Sequence, residues 1–444
     1  MSTKKKKKKQ SHVPGAALQP VCLRAEVEDL ARDLHKFACK GSESVMPELL
    51  GKSFKGNPEL QEKFLTASHK GMNAAQKKIV EFIQSHEPLS HSHHVLFTGI
   101  ADAMAWQLLG QQLCHARRFY KGHPPVNLKE SNFESVTFCA EEMARREPGS
   151  ISIISDLTSF VQVGDLLKMD LHGRTTVAEV KEGKKNHEIL DFMNFFIETP
   201  CQHALNHFAQ KHGESGLKQL GRMFRQGERM GHVTEVMWKG ESIDPDTQQT
   251  IHIPEKPVYI GNWDEELNDT VEVCDARGWG WNIVDDCLFI GAYSKETHNG
   301  NGHLLFNMLF DEFEGGIGSP RVRLNDCMVS PLALTMFNLN ISEEHKFDIL
   351  FGRKNVCLGL NIVNFLDRLK EAGITVRPAT NKEASQMEQK GAKLYRFQGK
   401  AVLIGTGTHE VYLSDGMFMR IFFHGQRPIA TVKAILSNLS VTSD

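Results

Sequence analysis

Apolar side chains recur at helical spacing along the first part of the chain. Leu23, Val27, Leu30, Ala31 and Leu34 follow this rhythm, and residues 21–90 read as helical with a break at Gly56-Asn57-Pro58. Further helices are expected from about Gly99 to Tyr120 and from about Asn132 to Arg146. The second is opened by Ser131 as N-cap, with Glu134 completing a capping box, and stopped by Glu147-Pro148-Gly149. The pattern then shortens to β-branched and apolar runs that predict strands at 151–154, 160–169 and 175–181. A long helical segment is expected from about Asn186 to Met230, interrupted by Pro200 and five glycines. Beyond residue 240 the pattern is mixed. Strands are expected at 258–260, 287–293, 401–404 and 419–423, and a helix from about Cys357 to Ala372.

Chemistry concentrates in one stretch. Asp165 follows Gly164 in an apolar run, and Glu179-Val180-Lys181 ends the next. E-x-K triplets begin also at Glu182, Glu344 and Glu388, but only the one at Glu179 closes a β-branched run beside a strand that carries an acid. Alternate residues of a strand share a face, so Glu179 and Lys181 project together. A hairpin near His172-Gly173 brings Asp165 opposite them. Pairing 165 with 179 or 181 gathers all three groups on one face, whereas a two-residue turn pairs it with 180 and sends it to the other. The site therefore requires an odd-numbered loop or a bulge.

Two carboxylates and an ammonium on a buried sheet need compensation, because unpaired buried charge costs several kcal/mol. Asp165 and Glu179 supply hard oxygen ligands suited to Mg²⁺ or Mn²⁺, and the Val180 carbonyl can add another. Lys181 can orient or deprotonate an attacking water. The competing account is a plain Asp165–Lys181 ion pair, which leaves Glu179 without a partner. Asp156, after the first strand, and Asp170, near the turn, are rival acids.

Gly164-Asp165, thirteen residues, then Glu179-Val180-Lys181 resembles the PD-(D/E)xK nuclease superfamily, with Gly164 in place of the family's proline. The resemblance covers about residues 130–230 and implies a restriction-endonuclease-like α-β-β-β-α-β core. It implies a Mg²⁺- or Mn²⁺-dependent nuclease with Asp165, Glu179 and Lys181 as catalytic residues and DNA favoured over RNA. A further acid on the first helix is expected from Glu134, Glu141 or Glu142, with Glu142 preferred. A glutamine on the helix after E-x-K is matched by Gln202. The alternative is a catalytically inactive nuclease-like module that binds nucleic acid or a protein.

The expected fold class is thus α+β: a tail over 1–20, a helical region over 21–125, the nuclease-like core over 126–295 and a mixed α/β C-terminal domain over 296–444. The 444 residues carry a formal charge of −2, and Lys4 to Lys9 make the remainder six units more negative. A polycation that coats nucleic acid is excluded, so phosphate contacts must come from local patches. Lys211, Lys218, Arg222, Arg225 and Arg229 share one face if their helix persists. Nine scattered cysteines without a C-x-x-C pair read as reduced thiols. The lysine run lacks a following apolar segment, and no apolar stretch is long enough for a membrane span, so a cytoplasmic protein without membrane contact is expected, with a homo-oligomer open. His91, His93, His94, His203 and His207 lack the H-E-x-x-H pattern. Trp279, Trp281 and Phe289 read as packing beside a turn.

Overall fold

Residues 21–49, 57–86, 88–245, 248, 250–253, 260–389, 392–407 and 409–441 are described by the computed structural model. The lysine run and most of the strand expected at 258–260 lie outside them. The chain is mixed α+β with antiparallel sheets. Five helices come first: α1 (Glu28–Lys40), α2 (Met46–Leu49), α3 (Pro58–Ser85), α4 (His91–Leu108) and α5 (Leu113–Phe119). Asn57 opens α3 by accepting from the Leu60 N–H at 3.2 Å, and Pro58 sits in the first turn, where no helical N–H bond is lost. Met72, Ala75, Ile79 and Ile83 form its buried stripe. α4 is buried on nearly all sides and opens with a Ser90–His93 capping box, so the histidine group lies on a helix. The single helix expected from Gly99 to Tyr120 is two, parted at Gly110 and Gln111, which both take positive φ.

α6 (Phe133–Arg146) leads into β1 (Ile151–Ile154), β2 (Leu166–Met169) and β3 (Thr175–Ala178), an antiparallel sheet in that order. The N-cap of α6 is Asn132 rather than Ser131, whose hydroxyl is buried without a partner. Gln76 of α3 closes the free edge of β1. Its Nε2 donates to the Ser152 carbonyl at 3.0 Å and its Oε1 accepts from the Ile154 N–H at 2.8 Å, as a neighbouring strand would. α7 (Lys184–Glu198) and α8 (Gln202–Lys239) follow. α8 packs on β3, where Trp238 Nε1 donates to the Thr175 carbonyl at 2.8 Å.

The order α-β-β-β-α is therefore present, but the expected sixth element is not in this sheet among the described residues. The next strand, β4 (Glu241–Ile243), pairs only with β5 (Thr250–His252). Trp238 has already satisfied a β3 carbonyl that a fourth strand would use.

The chain continues with α9 (Asp264–Arg277), β6 (Trp279–Val284), β7 (Leu288–Ser294), α10 (Lys295–His298), α11 (Gly302–Glu312), β8 (Arg321–Arg323), α12 (Glu343–Leu350), β9 (Lys354–Leu360) and α13 (Ile362–Glu371). Their sheet has the order β6-β7-β9-β8. β7 pairs with β9 along its whole length, so a domain boundary at 295/296 would divide one continuous sheet. A fourth sheet joins β10 (Thr375–Pro378), β11 (Arg396–Phe397), β12 (Lys400–Thr406) and β13 (His409–Tyr412), with α14 (Asn381–Gln389), α15 (Asp415–Phe423) and α16 (Pro428–Val441) beside it in sequence.

Two expectations fail here for one reason. Residues 354–360 are a fully buried strand, with α13 capped by Asn361, instead of one helix from Cys357. Residues 419–423 end a helix instead of forming a strand. Continuous apolar runs carry no period, so packing decides. One hydrophobic core runs from Leu23 to Leu436, and the helical N-terminal region shares it with the C-terminal part. Leu23 N–H donates to the Leu350 carbonyl at 2.9 Å, and Trp106 Nε1 to that of Ala333 at 2.9 Å. Trp281 stacks on Phe306 at 5.0 Å, while Trp279 stays 47% exposed. No helix of the described residues is long and apolar enough to cross a membrane.

Candidate functional site

β2 and β3 are joined by residues 170–174, a connection of odd length. Asp170 Oδ1 accepts from the N–H groups of His172 at 2.8 Å and Arg174 at 2.9 Å, so this rival acid is used by the turn. Leu166 then faces Ala178, and Asp165 comes level with residue 179; its N–H donates to the Ala178 carbonyl at 2.8 Å. The register is the one that parity requires. Gly164 takes φ 73°, and a Cβ there would overlap Val177 Cγ1 and the Ala178 carbonyl oxygen. Proline, locked near φ −65°, cannot take that conformation, which accounts for glycine at this point.

Asp165 is partly buried, and its Oδ2 accepts from the Val180 N–H at 2.6 Å. Burial pushes its carboxyl up to about 6; the Val180 N–H opposes this, and the negative charge of Glu179 adds to it. Asp156, after β1, pushes in the same direction. Lys181 does not form the plain ion pair with Asp165 that the competing account required. Its Nζ donates to Glu179 Oε1 at 2.6 Å, and both side chains are largely buried, at 14% and 16% exposure.

A residue that sequence reasoning missed completes the cluster. Gln226, on α8, donates through Nε2 to Glu179 Oε1 at 3.0 Å and accepts from Lys181 Nζ at 3.2 Å. Glu179 Oε2 and Asp165 Oδ1 have no protein donor among the described residues. Gln202, the expected glutamine, is exposed at the start of α8 and donates to Asn206 Oδ1 at 3.1 Å. The signal for Gln226 was its spacing. It lies four residues after Arg222 and three before Arg229, on the side of the helix that carries the basic stripe.

That stripe is shorter than expected. Gly213 leaves helical geometry inside α8, at φ 65° and ψ −170°, so Lys211 lies across a kink and pairs with Glu188 at 3.0 Å. Lys218 pairs with Glu214 at 2.6 Å. Arg222 and Arg225 are exposed and make no ion pair among the described residues; Arg229 is half-buried. Glu142, on α6, is held by Arg145 and by Arg146 at 2.9 Å, and among the described residues it makes no bond to Asp165, Glu179, Lys181 or Gln226.

Below the cluster, α4 anchors the connection between β1 and β2. Asp102 is buried and accepts from Ser159 N–H at 2.8 Å and Ser159 Oγ at 2.6 Å. Burial pushes its carboxyl up to about 7. The Ser155 N–H donates to the Asp165 carbonyl at 2.9 Å, which ties this anchored segment to the candidate site.

Among the described residues no group of three or more His, Cys, Asp and Glu side chains is arranged to hold a metal ion. Two carboxylates are nevertheless sufficient for Mg²⁺, which commonly takes one or two, with water and substrate phosphate completing six ligands. The proximity of two acids, and the desolvation already felt by Asp165, are the conditions that a divalent cation relieves. No protein-family model, curated protein or solved structure matches this chain.

Proposed function

We propose that the chain is a Mg²⁺- or Mn²⁺-dependent nuclease with a restriction-endonuclease-like core that hydrolyses phosphodiester bonds, with DNA favoured over RNA. The observation that carries this reading is that Glu179, Lys181 and Gln226 bond to one another at the end of the β2–β3 hairpin, while Asp165 accepts from the N–H of Val180 between Glu179 and Lys181. Asp165 Oδ1 and Glu179 Oε2, with the Val180 carbonyl, would hold the metal. When bound, such an ion supplies a Lewis acid and lowers the pKa of water.

The protein groups have separable tasks. Lys181 sits beside the nucleophile and compensates charge that grows on the phosphate as water adds and the P–O bond breaks. Gln226 holds both Glu179 and Lys181, so neither is free to take another rotamer. The Val180 N–H fixes one oxygen of Asp165 and leaves the other to the ion. Arg222 and Arg225 lie exposed on the helix that presents Gln226 and would take backbone phosphates.

Plasmid DNA incubated with the protein and Mg²⁺ or Mn²⁺ should be cleaved. Glu179→Ala and Lys181→Ala should each lose at least about 100-fold in rate while keeping the wild-type circular dichroism spectrum. Undiminished cleavage by both variants would sink the assignment. DNA binding without cleavage by the wild type would favour the inactive binding module instead.

A homo-oligomer is also proposed, favoured by the apolar face of α11 and the loop after it, where Leu304, Met308 and Ile317 are 48%, 67% and 80% exposed. Sedimentation equilibrium that returns the monomer mass at every concentration would remove it.

A further inference from the structure

A cavity of about 410 Å³ opens between α1, the end of α4, the 336–341 segment and α12, and none of its lining residues belongs to the Asp165 cluster. Its charges are unevenly paired. Lys40 is neutralised by Glu343 at 2.6 Å and Glu43 at 3.2 Å. Among the described residues Lys346 has no carboxylate partner, and its ammonium donates to the Phe337 carbonyl at 3.3 Å. An ammonium has three donors, so two are left without a protein acceptor among the described residues.

His35 adds a second unsatisfied group. The residue is 2% exposed, and its ring lies 5.7 Å from those of both Phe337 and Phe347. Its Nδ1 is buried without a hydrogen-bond partner. A buried imidazole without a partner and a half-satisfied ammonium are uncommon, because each forgoes hydrogen bonds that water would supply. His35 and Lys346 both line this cavity, and the lysine's charge adds to burial in holding the imidazole unprotonated. Phe337, Ile341 and Cys39 give that region an apolar lining.

We propose that this cavity binds a small organic monoanion, with its carboxylate held between Lys346 and His35 and its apolar body against Phe337 and Ile341. The volume lies within the range of about 300–1,000 Å³ usual for small-molecule sites. One lysine without a carboxylate partner, beside Phe337 and Ile341, suits a carboxylate better than a phosphate dianion. Glu343 is bonded to Lys40 and not to Lys346, so a guest carboxylate would be the direct partner that Lys346 lacks.

The test uses the full chain with benzoate and hexanoate as probes, benzamide as the uncharged counterpart of benzoate, and inorganic phosphate. Calorimetry should show saturable binding of at least one carboxylate, at least about tenfold tighter than benzamide. Lys346→Met, which keeps the apolar stem, should abolish that preference. If this variant does not fold, NMR titration of wild-type His35 gives the same information. Imidazole protonation is held down to about 4 by burial and the nearby lysines, with Glu343 acting the other way, and a carboxylate guest should raise it. Equal binding of benzamide, tighter binding of phosphate, no saturable carboxylate binding, or an unmoved His35 titration would overturn the proposal.

Discussion

Replacing Gln226 by alanine probes the contact through which α8 reaches the hairpin. The substitution removes a donor to Glu179 at 3.0 Å and an acceptor for Lys181 at 3.2 Å, while the 2.6 Å Lys181–Glu179 bond stays. Hydrogen bonds to charged groups contribute about 1.5–3 kcal/mol each. Water can replace part of each bond because the partners keep 14% and 16% exposure, so the lower end of that range applies. A loss of about 1.5 kcal/mol per bond corresponds to roughly tenfold for one and a hundredfold for both. This agrees with the 10–100-fold typical of groups that orient metal ligands.

The assay is plasmid nicking across a Mg²⁺ titration, with urea unfolding as the stability control. The expected result for Gln226→Ala is a kcat lower by about 10–100-fold, a KM for DNA changed far less, and a higher Mg²⁺ requirement. Gln202→Ala should behave as wild type, because Gln202 is exposed and touches only Asn206. Wild-type cleavage by Gln226→Ala at every Mg²⁺ concentration would refute the positioning argument, as would the loss appearing in Gln202→Ala instead.

The Asp165 carboxyl, pushed up to about 6, must lose its proton before it can hold a cation. Mg²⁺ affinity and cleavage should therefore fall as pH drops through about 6, which isothermal titration at several pH values will measure. Asp102 offers a stability test. Its folded pKa near 7 exceeds the unfolded value of about 3.9, so between them the native state holds more protons and stability falls as pH rises. Asp102→Asn should flatten this slope and be the more stable protein at pH above 7, as read by urea denaturation; an unchanged slope would contradict the assignment. Arg222→Ala combined with Arg225→Ala should weaken DNA binding at all sequences and reduce the salt slope by about two, at ~0.9 per phosphate contact, in fluorescence anisotropy against salt.

Local order was legible wherever the sequence carried a period or a punctuation mark. Gly56-Asn57-Pro58 marked a break in the helical pattern, and α3 begins at that break; β1 lies where the run at 151–154 placed it, and α6 ends as Glu147-Pro148-Gly149 predicts. Parity alone stated which hairpin register could gather Asp165 with Glu179 and Lys181, and the connection at 170–174 has that register. These features depend on neighbours a few residues away, and side-chain alternation and cap chemistry act at that range.

Other features depend on which surfaces meet. Val356 to Leu360 has no readable period and became a buried strand because β7 and β8 lie on either side of it. Among the described residues no fourth strand joins the β1-β2-β3 sheet; α8 packs on β3, with Trp238 satisfying its Thr175 carbonyl. The pairing of Lys181 with Glu179 rather than Asp165, and the arrival of Gln226 from 45 residues away, follow from how α8 folds back on the hairpin. Sequence determined the groups and their parity. Tertiary packing decided their partners, because a buried charge takes whichever donor or acceptor is carried to it before water is excluded.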